Sequence, residues 1–226
     1  MYIYWKSYFQ ERRFIVFSTL LVIALILLQC FFSKAELFIL ANGFHTTALD
    51  NFFTGFTYLG DGLFCISICI ILFFTNRKIS YRLGISFLLS GLVAQLLKSL
   101  FQAPRPKTYF AEGVYSYFIE GVTHTGNSSF PSGHTTTAFV TMAVLSSCTK
   151  NNYCILLLLL IAFGVGYSRV YLGQHFVQDV AAGAVIGLLT AIIVENLQRV
   201  INLRPVSGKK YLARINKPAE PVYLEA

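Results

Sequence analysis

The chain has 226 residues, 55% of them hydrophobic and only 12% charged, with a formal net charge of +8. A soluble domain carries about 25% charged residues, so the composition excludes an ordinary soluble domain and points to an integral membrane protein. The positive charge would suit nucleic acid if it were clustered, but its distribution along the chain argues for a different origin.

Residues 1–13 are short, aromatic and basic, with Lys6, Arg12 and Arg13. Phe14 to Phe32 is almost wholly apolar and long enough to cross a bilayer. The Ser33-Lys34-Ala35-Glu36 that follows is a poor small-residue cleavage site, so a retained first span is expected rather than a signal peptide. Residues 33–62 mix polar and apolar positions and predict an amphipathic helix at the membrane surface. Gly60-Asp61-Gly62 marks a turn or cap before a second span over about 60–75. His45 and Asp61 read as capping or interfacial residues. Arg77 and Lys78 form a basic connector into a third span, 82–101. There Gly84, Gly91, Gln95 and Lys98 share the helix face expected to meet protein.

Residues 102–133 form the longest polar connection, and a loop of that length is usually functional. Lys107, Glu112, Glu120 and His124 are candidates to shape a head-group pocket. His134 opens a fourth span to about Cys148. A fifth covers 153–168 and a sixth 175–195. Gly183, Gly187 and Ala191 continue the face of His175 and Asp179 as a stripe of small residues. The expected fold is therefore an all-α bundle of six transmembrane helices, with an interfacial helix between spans one and two. One domain occupies 1–200 and a basic tail occupies 201–226. The five cysteines fall in or beside apolar runs and read as small buried residues.

Six spans put both termini on one side. Thirteen of the eighteen Lys and Arg lie on that side, and the other holds Lys34, Lys98, Arg105, Lys107 and Arg169. The positive-inside rule then places both termini in the cytoplasm. The net charge reports topology and anionic lipid rather than nucleic acid.

Three clusters gather at the opposite face. Lys98 is followed after six residues by Arg105-Pro106. Pro131-Ser132-Gly133-His134 precedes a helix start, where free amides favour an anion. Ser168-Arg169 is followed after five residues by His175, and after three more by Asp179. On a helix, His175 and Asp179 would share a face, the carboxylate orienting one imidazole nitrogen and leaving the other free. Three cations around two histidines suit a phosphoryl group, whose charge spreads over its oxygens during transfer. His134, His175 and Asp179 also make a conceivable metal set, but the cations oppose a divalent ion. A channel or transporter is a poorer reading, because the charges cluster at one mouth and leave the spans apolar at mid-depth.

These motifs resemble the type 2 phosphatidic acid phosphatase family, which shares its site with vanadium haloperoxidases. The three linked motifs match at every defining position, and the six-span layout extends the resemblance over about 200 residues; the tail is not covered. The resemblance implies a metal-independent, cofactor-free phosphatase; with the topology read from the charges, it would lie in the cell's inner membrane with its active site on the periplasmic side. His175 would be the nucleophile and form a phosphohistidine. Asp179 would fix its tautomer, and His134 would protonate the leaving oxygen. Lys98, Arg105, Ser132, Gly133 and Arg169 would hold the phosphate. The implied substrate is a lipid monophosphate such as phosphatidic acid, phosphatidylglycerophosphate or a lipid A phosphate, with undecaprenyl pyrophosphate as the alternative. A haloperoxidase's soluble setting does not fit the hydropathy.

Overall fold

The computed structural model describes residues 12–115 and 117–203, the side chains only as far as residue 200. The basic tail and Lys6 therefore lie outside the described residues. The described residues are helical, with no strand among them: α1 (Arg13–Phe31), α2 (Lys34–Ala41), α3 (Thr47–Phe56), a 3₁₀ turn (Thr57–Gly60), α4 (Gly62–Thr75), α5 (Arg77–Phe101), a single turn α6 (Pro106–Tyr109), α7 (Gly133–Ser146), α8 (Asn152–Tyr171) and α9 (Val177–Leu203).

Local chemistry sets many of the boundaries. Ser33 and Glu36 form a capping box at the start of α2. Thr46, Asp61, Asn76, Ser132 and Asn151 cap α3, α4, α5, α7 and α8 with side-chain oxygens. Gln102, in a left-handed conformation, ends α5. Gly173, at φ +65°, turns the chain between α8 and α9.

Among the described residues, four helical segments are long and apolar enough to cross a membrane: Arg13–Phe31, Arg77–Tyr109, Asn152–Tyr171 and Val177–Val200. The pair Thr47–Gly60 and Gly62–Thr75, bent by 50°, makes a fifth if it counts as one broken span. The sequence predicts six. The shortfall comes from α4 and α7, each 14 residues long. At 1.5 Å per residue these reach only about 21 Å, against a hydrocarbon core of about 30 Å. The expected single interfacial helix over 33–62 is instead divided into α2, α3 and the 3₁₀ turn, broken at Asn42 to Thr46 and again at Asp61.

α7 is the axis of the bundle. Ten of its fourteen residues are buried, under α9, α8 and α5. The core joins Phe139, Val140 and Met142 of α7 to Leu83, Ile155, Leu159, Ala162, Ala184 and Leu188. α1, by contrast, buries only Phe14, Ser18 and Val22, a single seam spaced by four in its first half. The remainder of α1 shows Leu20, Ile23, Leu27 and Phe31 outward, as lipid-facing helices do.

Two expectations about small residues change. The packed face of α5 is Ser80, Leu83, Ser86, Ser90 and Ala94, whereas Gly91 and Gln95 open onto a cleft of about 230 Å³ shared with α4 and α7. Serine is small enough to take the place expected for glycine. Of the cysteines only Cys65 is buried; Cys30, Cys148 and Cys154 are exposed, and all five are free thiols.

The small-residue stripe of α9 does pack as its spacing suggests. A Cβ at Gly183 would lie 2.6 Å from the Ser132 carbonyl oxygen. One at Gly187 would lie 2.7 Å from the Thr136 carbonyl oxygen and 3.0 Å from the Val140 nitrogen. Both obstacles are backbone and cannot swing aside. Gly187→Val should therefore cost about 1–3 kcal/mol by overpacking, lowering Tm in detergent by about 2–4 °C per kcal/mol for a chain of this size. Gly84→Ala, where a Cβ meets nothing within 4 Å, should leave Tm unchanged or higher. An unshifted Tm for Gly187→Val would show that the two helices do not need this approach.

Candidate active site

The three sequence clusters meet in one cavity of about 360 Å³. Its wall includes Lys98, Arg105, Gly133, His134, Arg169 and His175. Ser132 and Asp179, the other two expected site residues, are fully buried and stand behind that wall.

Lys98 comes from the last turn of α5, and its ammonium would lie 3.7 Å from a Cβ on Gly133. Arg105 follows the end of α5 and caps the single turn of α6. Its backbone N–H donates to the Gly126 carbonyl at 2.9 Å, and its guanidinium donates to the side-chain oxygen of Gln174. Gln174 donates in turn to the Val122 carbonyl. Arg169, only 8% exposed, sits in the last turn of α8 and donates to Thr57 Oγ1 at 2.8 Å. Its Nε is buried without a hydrogen-bond partner. Neutral acceptors thus hold two guanidinium groups whose charges remain unneutralised, a state that an anion relieves.

Ser132 caps α7, its oxygen accepting from the Thr135 hydroxyl at 2.8 Å and the Thr135 N–H at 3.4 Å. Its own N–H donates to the Asp179 carbonyl at 3.0 Å. Ser132 therefore shapes the helix start, and the first-turn amides of Gly133 and His134, which have no acceptor within the helix, are the donors nearest the cavity.

The sequence reading sets His175 on the first turn of a helix. The helix begins two residues later, at Val177, and His175 lies in the connector after Gly173. Its link to Asp179 comes from capping rather than from a shared helix face. Asp179 Oδ2 reaches back to accept the Phe176 N–H at 2.9 Å. His175 Nδ1 is 3.7 Å from that oxygen, and Ser129 stands between them. Ser129 Oγ donates to Asp179 Oδ2 at 2.6 Å and lies 3.4 Å from His175 Nδ1. With Nδ1 engaged on this side, Nε2 is the nitrogen left to the cavity. Burial pushes the His175 imidazole down to about 4, with the Arg169 charge adding to the effect and Asp179 opposing it. At neutral pH the ring is therefore uncharged, the state in which an imidazole nitrogen can attack.

Of the loop candidates, His124 lines the cavity, while Lys107, Glu112 and Glu120 are exposed elsewhere. His45 is outside the cavity. It bonds Asp50 and Asn42, both at 3.2 Å, and stacks between Tyr117 and Tyr171. Asp61 caps α4, as expected. The sequence reading missed Ser129, Gln174, Thr57 and Tyr58. Gln174 adjoins His175, and Ser129 lies two residues before Pro131. Thr57 and Tyr58 carry no motif and come from the segment expected to lie on the membrane surface.

The family model described as the PAP2 superfamily matches residues 80–201. The chain belongs to the PAP2 superfamily. A lipid A 1-phosphatase of Rhizobium etli is 31% identical over 199 residues, covering 75% of this chain and 82% of that one. The crystal structure of Aquifex aeolicus LpxE shares 37% identity at a TM-score of 0.64, over 71% of this chain and 93% of that one. That of a PAP2-type phosphatidylglycerolphosphate phosphatase from Bacillus subtilis shares 27% identity at a TM-score of 0.60, over 85% and 98%. The chain is a multi-pass membrane phosphatase of the PAP2 type.

In this PAP2 phosphatase, Ser129→Ala should lower kcat/KM by about ten- to a hundredfold. A hydrogen bond to a charged group is worth about 1.5–3 kcal/mol, and tenfold is 1.4 kcal/mol. Steady-state phosphate release measures it. Wild-type kinetics would show that Ser129 does not help to hold the His175–Asp179 pair.

Proposed function

We propose that this protein hydrolyses a lipid phosphate monoester through a phosphohistidine, at the outer face of the inner membrane, and that its substrate is of the lipid A 1-phosphate type. The observation that carries the reading is the single cavity lined by Lys98, Arg105, Arg169, His134 and His175. In the first step His175 Nε2 attacks phosphorus, the bond to the lipid oxygen breaks, and His134 gives that oxygen its proton. Asp179, with Ser129, holds the imidazole and stabilises its positive charge. Lys98, Arg105, Arg169 and the amides at Gly133 hold the phosphoryl oxygens as charge builds on them. In the second step His134 takes a proton from water, water attacks phosphorus, the N–P bond breaks, and inorganic phosphate leaves.

No metal enters this scheme. Among the described residues, no three of His, Cys, Asp and Glu stand close enough to hold one. The cations supply the electrostatic stabilisation instead. The substrate assignment draws on the similarity to the lipid A 1-phosphatase over most of both chains. A lipid phosphate suits a site at helix ends, where the chains stay in the bilayer while the head group enters between α5, α7 and α8. α4 and α7 serve as short crossings in this reading, completing six passes.

The test is phosphate release by the purified protein in detergent and EDTA, offered lipid A, phosphatidic acid, phosphatidylglycerophosphate and undecaprenyl pyrophosphate. Lipid A should be turned over with a kcat/KM at least about tenfold above the others, a 1.4 kcal/mol preference. His175→Ala should retain less than about a hundredth of the rate, since losing a nucleophile costs on the order of 10⁴ or more. A preference for the pyrophosphate would overturn the substrate assignment. Substantial turnover by His175→Ala would overturn the nucleophile.

Sidedness rests on the distribution of Lys and Arg and is tested in intact cells. In a cysteine-free background, a membrane-impermeant thiol reagent that has crossed any outer membrane should label Val114→Cys, near the cavity end, and spare Lys150→Cys, at the other end of α7. The reverse pattern would place the cavity in the cytoplasm.

A further inference from the structure

Asp61 does two things at once. Its Oδ1 caps α4 by accepting the Leu63 N–H at 2.8 Å, and its Oδ2 lies 3.7 Å from His134 Nε2. The backbone holds this second approach. A Cβ at Gly60 would lie 2.7 Å from the His134 carbonyl oxygen and 2.5 Å from Val165 Cγ1. The 3₁₀ turn is therefore pressed against the first turn of α7, and Asp61 cannot drift from His134 without opening that joint.

The other charged and titratable groups that bear on His134 are Lys98 from α5, Arg169 from α8 and His175 from the connector ahead of α9. Two of them are permanent cations, and a third positive charge beside them is disfavoured. Yet a group that must donate a proton to a leaving oxygen has to be protonated when substrate arrives. Burial, first, and then the cations disfavour an imidazolium at position 134; among these neighbours Asp61 is the carboxylate, and its charge opposes them.

We propose that Asp61 is a positioning residue for the proton donor: it raises the proton affinity of His134 and fixes its ring, so the site contains two His–carboxylate pairs with different tasks. His175, buried with Asp179, is held neutral to attack. His134, paired with Asp61 at the edge of the cavity, is biased by that carboxylate toward the protonated form a donor needs. The cleft bounded by Gly60, Gly62, Gly91 and Gln95 meets the cavity at Lys98, Gly133 and His134, which gives a leaving group room on the Asp61 side. The inference rests on the reading of His134 as donor.

The experiment compares two amphiphilic esters with like tails and unlike leaving groups, dodecyl phosphate and 4-dodecyl-2-nitrophenyl phosphate, using the full-length enzyme in detergent. The alkoxide needs a proton as the P–O bond breaks; the nitrophenolate does not. Asp61→Asn and Asp61→Ser both retain a helix cap and lose the charge. In each, kcat/KM for the dodecyl ester should fall by about tenfold more than for the nitrophenyl ester. The alkaline limb of the dodecyl profile should also move to lower pH, because a donor without its carboxylate loses its proton earlier. The nitrophenyl rate reports that the variant is folded. Equal losses on the two esters, or no loss on either, would overturn the role of Asp61. His134→Gln is assayed in parallel. Should its losses be equal for the two esters, the donor reading itself fails, and this inference with it.

Discussion

The catalytic end depends on the approach of two backbones. Gly183 and Gly187 let α9 lie against α7 with no side chain between them, and the Ser132 N–H then bonds the Asp179 carbonyl across the joint. This one contact sets the start of α7, with Gly133 and His134, against the start of α9, with Asp179 and, just before it, His175. Residues more than forty positions apart in the chain are thereby held by main chain rather than by flexible side chains, as a site requiring sub-ångström placement demands. Gly166, against Val180 and Thr135, extends the same close packing to α8 and Arg169.

Electrostatic frustration is the second constraint. Three cations converge near a low-dielectric region, and two of them are held by the neutral oxygens of Thr57 and Gln174. Neutral acceptors satisfy the donors without cancelling the charge. A carboxylate in the place of either would form an ion pair and remove the reason for an anion to bind. The two carboxylates nearest the site, Asp61 and Asp179, lie against His134 and His175 instead.

The sequence was most legible where chemistry is concentrated. Lys98, Arg105, Gly133, His134, Arg169 and His175 all reach the cavity wall, because motif spacing and the convergence of polar residues on one end of the bundle restrict where they can lie. Hydropathy marked α1, α5, α8 and α9 for the same reason. It was less informative for α4 and α7, which are apolar but short, and whose burial depends on neighbours that no local pattern encodes. The His175–Asp179 pair was right in partnership and wrong in cause: spacing of four suggests a helix face, but Gly173 delays the helix and a capping contact makes the link. Ser129 and Gln174 were unreadable as site residues because their part is to bond other side chains. Thr57 and Tyr58 lie in a segment whose fold follows from packing against α7 and α8.

α1 buries only Phe14, Ser18 and Val22, all in its first half. At that end Arg12 lies 3.7 Å from Glu195, while Arg82 bonds Gln198 and Ser147. Toward the catalytic end, Leu25 and Leu28 instead border an apolar groove of about 330 Å³ against Phe163, Tyr167 and Val170. The molecule is thus built like a clothes-peg, with polar contacts gripping one end of α1 and an apolar groove beside the other. Resistance to deformation follows contact density, so it should fall along α1 from the polar clamp toward the groove. Lateral pressure from surrounding lipid would then be felt most in the leaflet that contains the cavity.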